Sequence, residues 1–251
     1  MIIAFLSWAF ASPISIDPII QDIGGAKINW TKMRLEAKSS YASRTQSWGF
    51  RESLASQDVA KKIGEFIYEV PVSQEHTVSS LQKISDIDND FTSSLREWKT
   101  AESRYFHAQH EVEVVGYLPL QSYLRKSLMY FSKAKLVEKT AVHTGLIIDA
   151  RGINFQPLVM PTVKKDDGSL VFSIEDFSPQ SALDTLPVRY VRSPVDPLCA
   201  QVVGKTPAMV RAQKSENGDL ILEPNIALPS APDLTAIRSM GKIIIILSPF
   251  E

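Results

Sequence analysis

Apolar and polar positions alternate over residues 26–37, where Ile28 and Trp30 are followed, after a short break, by Met33 and Leu35. A period of two is the mark of a strand with one buried face, so this stretch predicts a strand or a bent hairpin. The polar, serine-rich residues 38–47 read as a loop. From Trp48 the period lengthens: Phe50, Leu54, Val59, Ile63, Phe66, Ile67 and Val70 recur at helical spacing with charges between them. Pro71 ends that helix, because its ring and missing N–H cannot continue the ladder. Val78, Leu81, Ile84, Ile87, Phe91, Leu95 and Trp98 lie three or four apart and predict a second amphipathic helix. Residues 110–118, with Val112 and Val114 set among Glu111, Glu113 and Val115, predict a strand. Leu124, Leu128, Phe131 and Leu136 support a helical segment over 120–139.

After Thr144 the pattern turns to strands and turns. Leu146, Ile147 and Ile148 form a short run of the buried type. Residues 158–163 and 170–174 flank Asp166-Asp167-Gly168-Ser169, and residues 208–213 and 220–222 flank Asn217-Gly218; both arrangements predict hairpins. Residues 175–207 carry Pro179, Pro187, Pro194, Pro197 and Pro207 and read as mostly irregular. Ser230 is placed to cap a short helix with Pro232 in its first turn and Gly241 as its stop. Residues 242–247 then form a fully buried strand. This change of character divides the chain into an α+β region, 24–143, and a strand-rich region, 144–251.

Composition narrows the function. A net charge of −1 with only short, scattered basic clusters argues against binding nucleic acid, which needs many cations acting together. Residues 1–11 are apolar and close on Ala9-Phe10-Ala11, the spacing of a signal-peptidase site, and predict a signal peptide; a buried N-terminal strand or helix is the alternative. Their run is about half the ~20 apolar residues of a membrane-spanning helix. The single cysteine, Cys199, excludes an internal disulfide or a cysteine-rich zinc site. With no cysteine near residue 1, no lipid anchor of the lipoprotein type is expected.

Four groups of residues invite a chemical reading. Asp86, Asp88, Asp90 and Glu97 have much of the spacing of a calcium loop, but Phe91 stands where the sharp turn needs glycine, and the apolar period runs straight through. Gly204-Lys205-Thr206 lacks the earlier glycine of a phosphate loop, since Cys199 occupies it, and Pro207 opposes the helix that would follow. His107 and His110 stand three apart without a partnering zinc motif, so surface or capping roles are preferred for them as for His76 and His143. Asp149 and Arg151, two apart at a strand end, can pair to fix the turn at Gly152 or bind a ligand carboxylate; the structural pair is the preferred reading. No catalytic, cofactor-binding or metal-ligating residue is assigned.

Several of these segments together resemble one family. Thr144-Gly145-Leu146-Ile147-Ile148-Asp149-Ala150-Arg151-Gly152, with Pro157, Pro161 and Asp166-Asp167-Gly168-Ser169-Leu170-Val171-Phe172, is similar to a run found in FlgP-type flagellar proteins and related outer-membrane lipoproteins. Ile28-Asn29-Trp30-Thr31, Pro207–Ala212 and Ile243–Ile246 fit the same pattern more loosely. The resemblance implies an α+β fold in which helices pack on a small, mainly antiparallel sheet, followed by a strand-rich hairpin region. It also implies an exported, non-catalytic structural or assembly protein of the envelope, periplasmic or associated with the outer membrane. Its partners would be further copies of itself, in a ring or disk at the flagellar motor, and flagellar or other envelope proteins. Strand edges or the proline-rich segment would mediate self-association. A periplasmic adaptor or ligand-binding module is the alternative, and a metal-dependent hydrolase a more distant one.

Overall fold

Among the described residues two sheets and five helices make up the architecture, an α+β fold. The computed structural model describes residues 17–81, 83–84 and 95–248. The first sheet is wholly antiparallel, in the order β1 (Ile20–Asp22), β2 (Ala26–Asn29), β3 (Arg34–Ala42), β5 (Glu111–Pro119), β4 (Lys99–Phe106). The expected bent hairpin is β2–β3, and Lys32 N–H donates to Asn29 Oδ1 (3.0 Å) in its turn. The stretch expected as a loop is corrected over its first half: β3 continues to Ala42, paired with β5 along its whole length. Its outer residues are polar because one face of the sheet is open, so periodicity alone could not distinguish them from a loop.

Helix α1 (Trp48–Phe66) covers the other face, lying on β3 and β5 through Ala55, Val59 and Ile63. Ser47 Oγ caps it by accepting from Phe50 N–H at 3.3 Å. Gly116 on β5 makes this close approach possible, since a Cβ there would lie 2.6 Å from Val59 Cγ1 and 3.0 Å from the Trp98 ring. Of the second predicted amphipathic helix, α2 (Val78–Leu81) and a 3-10 turn at Leu95–Glu97 are seen, and residues 82 and 85–94 lie outside the described residues. The third predicted helical segment is shorter than expected. Helix α3 (Leu120–Phe131) stops as Ser132 Oγ donates to Leu128 carbonyl at 2.6 Å. The chain then runs extended, its backbone bonding to Glu175 and Phe177.

The second sheet is mixed, in the order β8 (Leu170–Phe172), β7 (Val163–Lys164), β11 (Asp219–Leu222), β10 (Ala208–Glu216), β6 (Leu146–Asp149), β12 (Ile243–Ile246), β9 (Arg189–Val191). Both predicted hairpins form, as β7–β8 and β10–β11. Asn217 (φ 49°) and Gly218 (φ 79°) supply the left-handed residues that the second one needs. The centre, β10–β6–β12–β9, is parallel. Parallel neighbours need crossovers, and those from β6 to β10 and from β9 to β12 carry helices: α4 (Pro197–Val203), which follows β9, and α5 (Ala231–Met240), which precedes β12. Strand β9 and α4 therefore correct the reading of 175–207 as mostly irregular. Asp196 caps α4 by accepting from Leu198 N–H (2.9 Å), and Pro197 occupies its first turn, so its prolines partly mark a helix start rather than disorder. Helix α5 has the expected ends, Ser230 capping and Gly241 (φ 66°) closing it.

One continuous apolar core joins the sheets. Trp30, from the β2–β3 turn, meets Tyr190 of β9 edge to face with centroids 5.7 Å apart, and both are fully buried. Asp233 of α5 accepts N–H bonds from Ala141, Val142 and His143 at 2.5–3.1 Å, pinning the segment that leads into β6. Those backbone donors hold its carboxyl below the usual range. A smaller cluster, Ile147, Val191, Cys199, Val203, Ile244 and Ile246, lies on the α4 side of the mixed sheet.

Candidate functional site

The longest free strand edge among the described residues belongs to β4, eight residues against three in each of the other outermost strands β1, β8 and β9. All but one of its residues are exposed. Pairing with β5 fixes which way each points: Ser103 and Tyr105 lie opposite Val114 and Val112 on the α1 side, while Glu102, Arg104 and Phe106 lie opposite Val115, Glu113 and Glu111 on the open side. Tyr105 confirms the orientation, its hydroxyl donating to Glu52 of α1 at 2.9 Å and its ring standing edge-on to Trp48.

The open side carries charges in rows. Arg104 donates to both carboxylate oxygens of Glu102 (2.6 and 2.7 Å) and lies 3.6 Å from Glu113, which also receives Lys38 at 2.5 Å. Pairing with Arg104 draws the Glu102 carboxyl down and the guanidinium up. The order of charges on β4 makes the edge self-complementary. A second copy of β4 laid antiparallel about Ser103 would place each Glu102 opposite an Arg104, whereas a slip to centre on Arg104 would oppose arginine to arginine. The sequence reading passed over this strand. With both faces exposed it has no apolar alternation, and the alternation of Glu102, Ser103, Arg104 and Tyr105 carries meaning only once β5 fixes the faces.

The residues singled out from sequence are dispersed. Asp149 accepts from Arg151 through its backbone N–H (3.2 Å), Nε (2.8 Å) and Nη2 (2.6 Å), so each is the other's partner at the end of β6, and Gly152 (φ 79°) completes the turn. The guanidinium holds the Asp149 carboxyl below its usual range. His107 packs edge-on to Trp48 at 4.9 Å, and His110 (φ 54°) ends the turn between β4 and β5. His76 Nδ1 lies 3.2 Å from Ser80 Oγ, and His143 lies 3.8 Å from Asp233. Gly204 (φ 76°) ends α4, and Thr206 Oγ1 donates to Val142 carbonyl at 3.0 Å, so this segment ties α4 to β6 and enters β10 with no following helix. Asp86, Asp88 and Asp90 lie outside the described residues, as does the segment 1–11. Cys199 is buried on α4, and burial, with Asp196 nearby, pushes its thiol up to about 11. Among the described residues no group of three or more His, Cys, Asp or Glu side chains is placed to hold a metal, and no helix is long and apolar enough to cross a membrane.

Comparison with known proteins gives a partial likeness. Residues 145–249 match the family model of the second domain of Treponema pallidum Tp0624. The matched stretch runs from the start of β6 past β12, and so takes in all of the mixed sheet and none of the antiparallel one. No curated protein matches the chain. The chain is therefore similar, over its mixed-sheet half, to that spirochaete domain.

Proposed function

We propose that this protein is a non-enzymatic assembly component of the cell envelope, exported and self-associating, as the resemblance to FlgP-type flagellar proteins implies. The observation that carries the reading is the free edge of β4, whose Glu102 and Arg104 complement a second copy of the same strand. Edge strands present unpaired N–H and C=O groups, and proteins that avoid pairing shorten, cover or bulge them. Strand β4 has charges and a bulge beside Ala101, yet the segment from Glu102 to Phe106 is regular, and no described strand pairs with its outer edge. The exposed intramolecular Glu102–Arg104 pair is worth little by itself, so exchanging it for a cross-copy pair costs little. Such a contact is isologous and gives a two-fold dimer; a ring or disk requires a second, different contact.

Sedimentation of the purified full chain tests this. The wild type is expected to form dimers or larger assemblies at micromolar concentration. Glu102→Lys sets like charges opposite one another and is expected to yield monomer, and the double exchange Glu102→Lys with Arg104→Glu restores assembly. A wild type that stays monomeric, or a Glu102→Lys variant that assembles as the wild type does, would overturn the proposal.

A further inference from the structure

The two sheets meet at a cleft of about 530 Å³ lined by Thr31, Lys32, Arg34, Tyr117 and Pro119 from the antiparallel sheet, and by Arg189, Leu198 and Gln201 from β9 and α4. Three of its eight lining residues are cationic and none is acidic, an imbalance that stands out against a net charge of −1 for the chain. Arg34 is oriented by Glu36, which accepts from its Nε at 2.6 Å, and by the Tyr117 ring, 4.3 Å beneath its guanidinium. That contact uses Nε alone, and the terminal nitrogens make no bond to a described residue.

Arg189 is the more telling member. It is half-buried at the edge of the mixed sheet, and its side chain makes no hydrogen bond or ion pair with any described residue. Burial draws its pKa down, with no anion to oppose the shift. A guanidinium taken partly out of water without a partner costs the fold free energy, which an incoming anion can offset. Lys32, exposed on the β2–β3 turn, likewise has no side-chain partner among the described residues, and the turn is held by Asn29 and by Leu120 N–H donating to Met33 carbonyl at 3.0 Å. The cations therefore come from rigid elements, and the Leu198, Pro119 and Tyr117 surfaces beside them supply an apolar wall.

We infer that this cleft binds a ligand bearing two or more carboxylates, with Arg189 and Arg34 as planar forks and Lys32 as the outer charge. Guanidinium groups bind carboxylates in bidentate fashion, and the apolar wall suits the carbon chain between them. The carboxylates can belong to a free small acid or to an acidic segment of a protein partner. Both halves of the chain are needed, so the site is built by the whole fold and stands independently of the β4 contact.

Citrate and a hexaglutamate peptide serve as probes, titrated calorimetrically at low salt into the wild-type chain, Lys32→Gln, Arg189→Met and Lys214→Gln, the last lying outside the cleft. The wild type and Lys214→Gln are expected to bind at least one probe saturably, and both cleft variants to bind it about tenfold more weakly or worse. Binding of citrate marks a free acid as the ligand; binding of the peptide alone marks an acidic partner segment. Without any probe, Arg189→Met is expected to melt at or above the wild-type temperature, because a lone half-buried charge has been removed. Absence of saturable binding by either probe, equal affinities across all four chains, or a lowered melting temperature of unliganded Arg189→Met would each overturn the inference.

Discussion

Strand β12 buries all four of its isoleucines, two on each side of the mixed sheet, whereas β3 alternates Leu35 and Ala37 toward α1 with Glu36 and Lys38 toward the open side. The difference follows from what covers each sheet. Helix α4 and the main core enclose the parallel strands from both sides, so every position there must be apolar. The antiparallel sheet has α1 on one face only, and the longer of its two outermost strands, β4, is exposed on both. Stability is thus concentrated in one sheet, and surface chemistry available to partners in the other.

This contrast can be broken most severely at its buried end. Ile245→Ala, at a fully buried position between β6 and β9, is expected to cost about 2–5 kcal/mol in urea unfolding. Next is the seam between the halves. Tyr190→Phe would leave Leu158 N–H, which donates to the hydroxyl at 3.0 Å, and Leu158 carbonyl, which accepts from it at 2.7 Å, both buried and unpaired. A loss of about 1–3 kcal/mol is expected by the same measurement. In the antiparallel sheet the tight spot is Gly116, and Gly116→Ala is expected to cost about 1–3 kcal/mol by forcing Val59 and Trp98 away. The smallest effect belongs to the open face: Lys38→Ala, which removes an exposed partner of Glu113, should change stability by less than about 1 kcal/mol. If Lys38→Ala cost as much as Ile245→Ala, the open face would have to be covered in solution, and the contrast between the sheets would fail.

Where a local pattern carried its own physical cause, it was legible. The capped helix from Ala231 to Met240, the Asn217-Gly218 hairpin and the β2–β3 hairpin were all readable from caps, turn residues and alternation. The polar end of β3 and the strand β9 were not, because each owes its structure to a distant neighbour, β5 and β12, and the helix α4 was missed because its local start signal, Asp196-Pro197, lies among prolines that read as irregular chain. The candidate surfaces were still less visible. Lys32 and Arg189 are ordinary surface cations in the sequence, and they meet only because Trp30 docks on Tyr190 and brings the β2–β3 turn against α4.

By itself, the sequence determined which segments are helix, strand or turn wherever period, cap or glycine geometry acts within a few residues, and it determined the α+β class that follows. Tertiary structure alone decided the parallel order of the mixed sheet, the face each charge presents, and the gathering of three cations at the seam. Those depend on contacts between residues far apart in the chain, whose energies are set by burial and pairing across elements rather than by any residue's immediate neighbours.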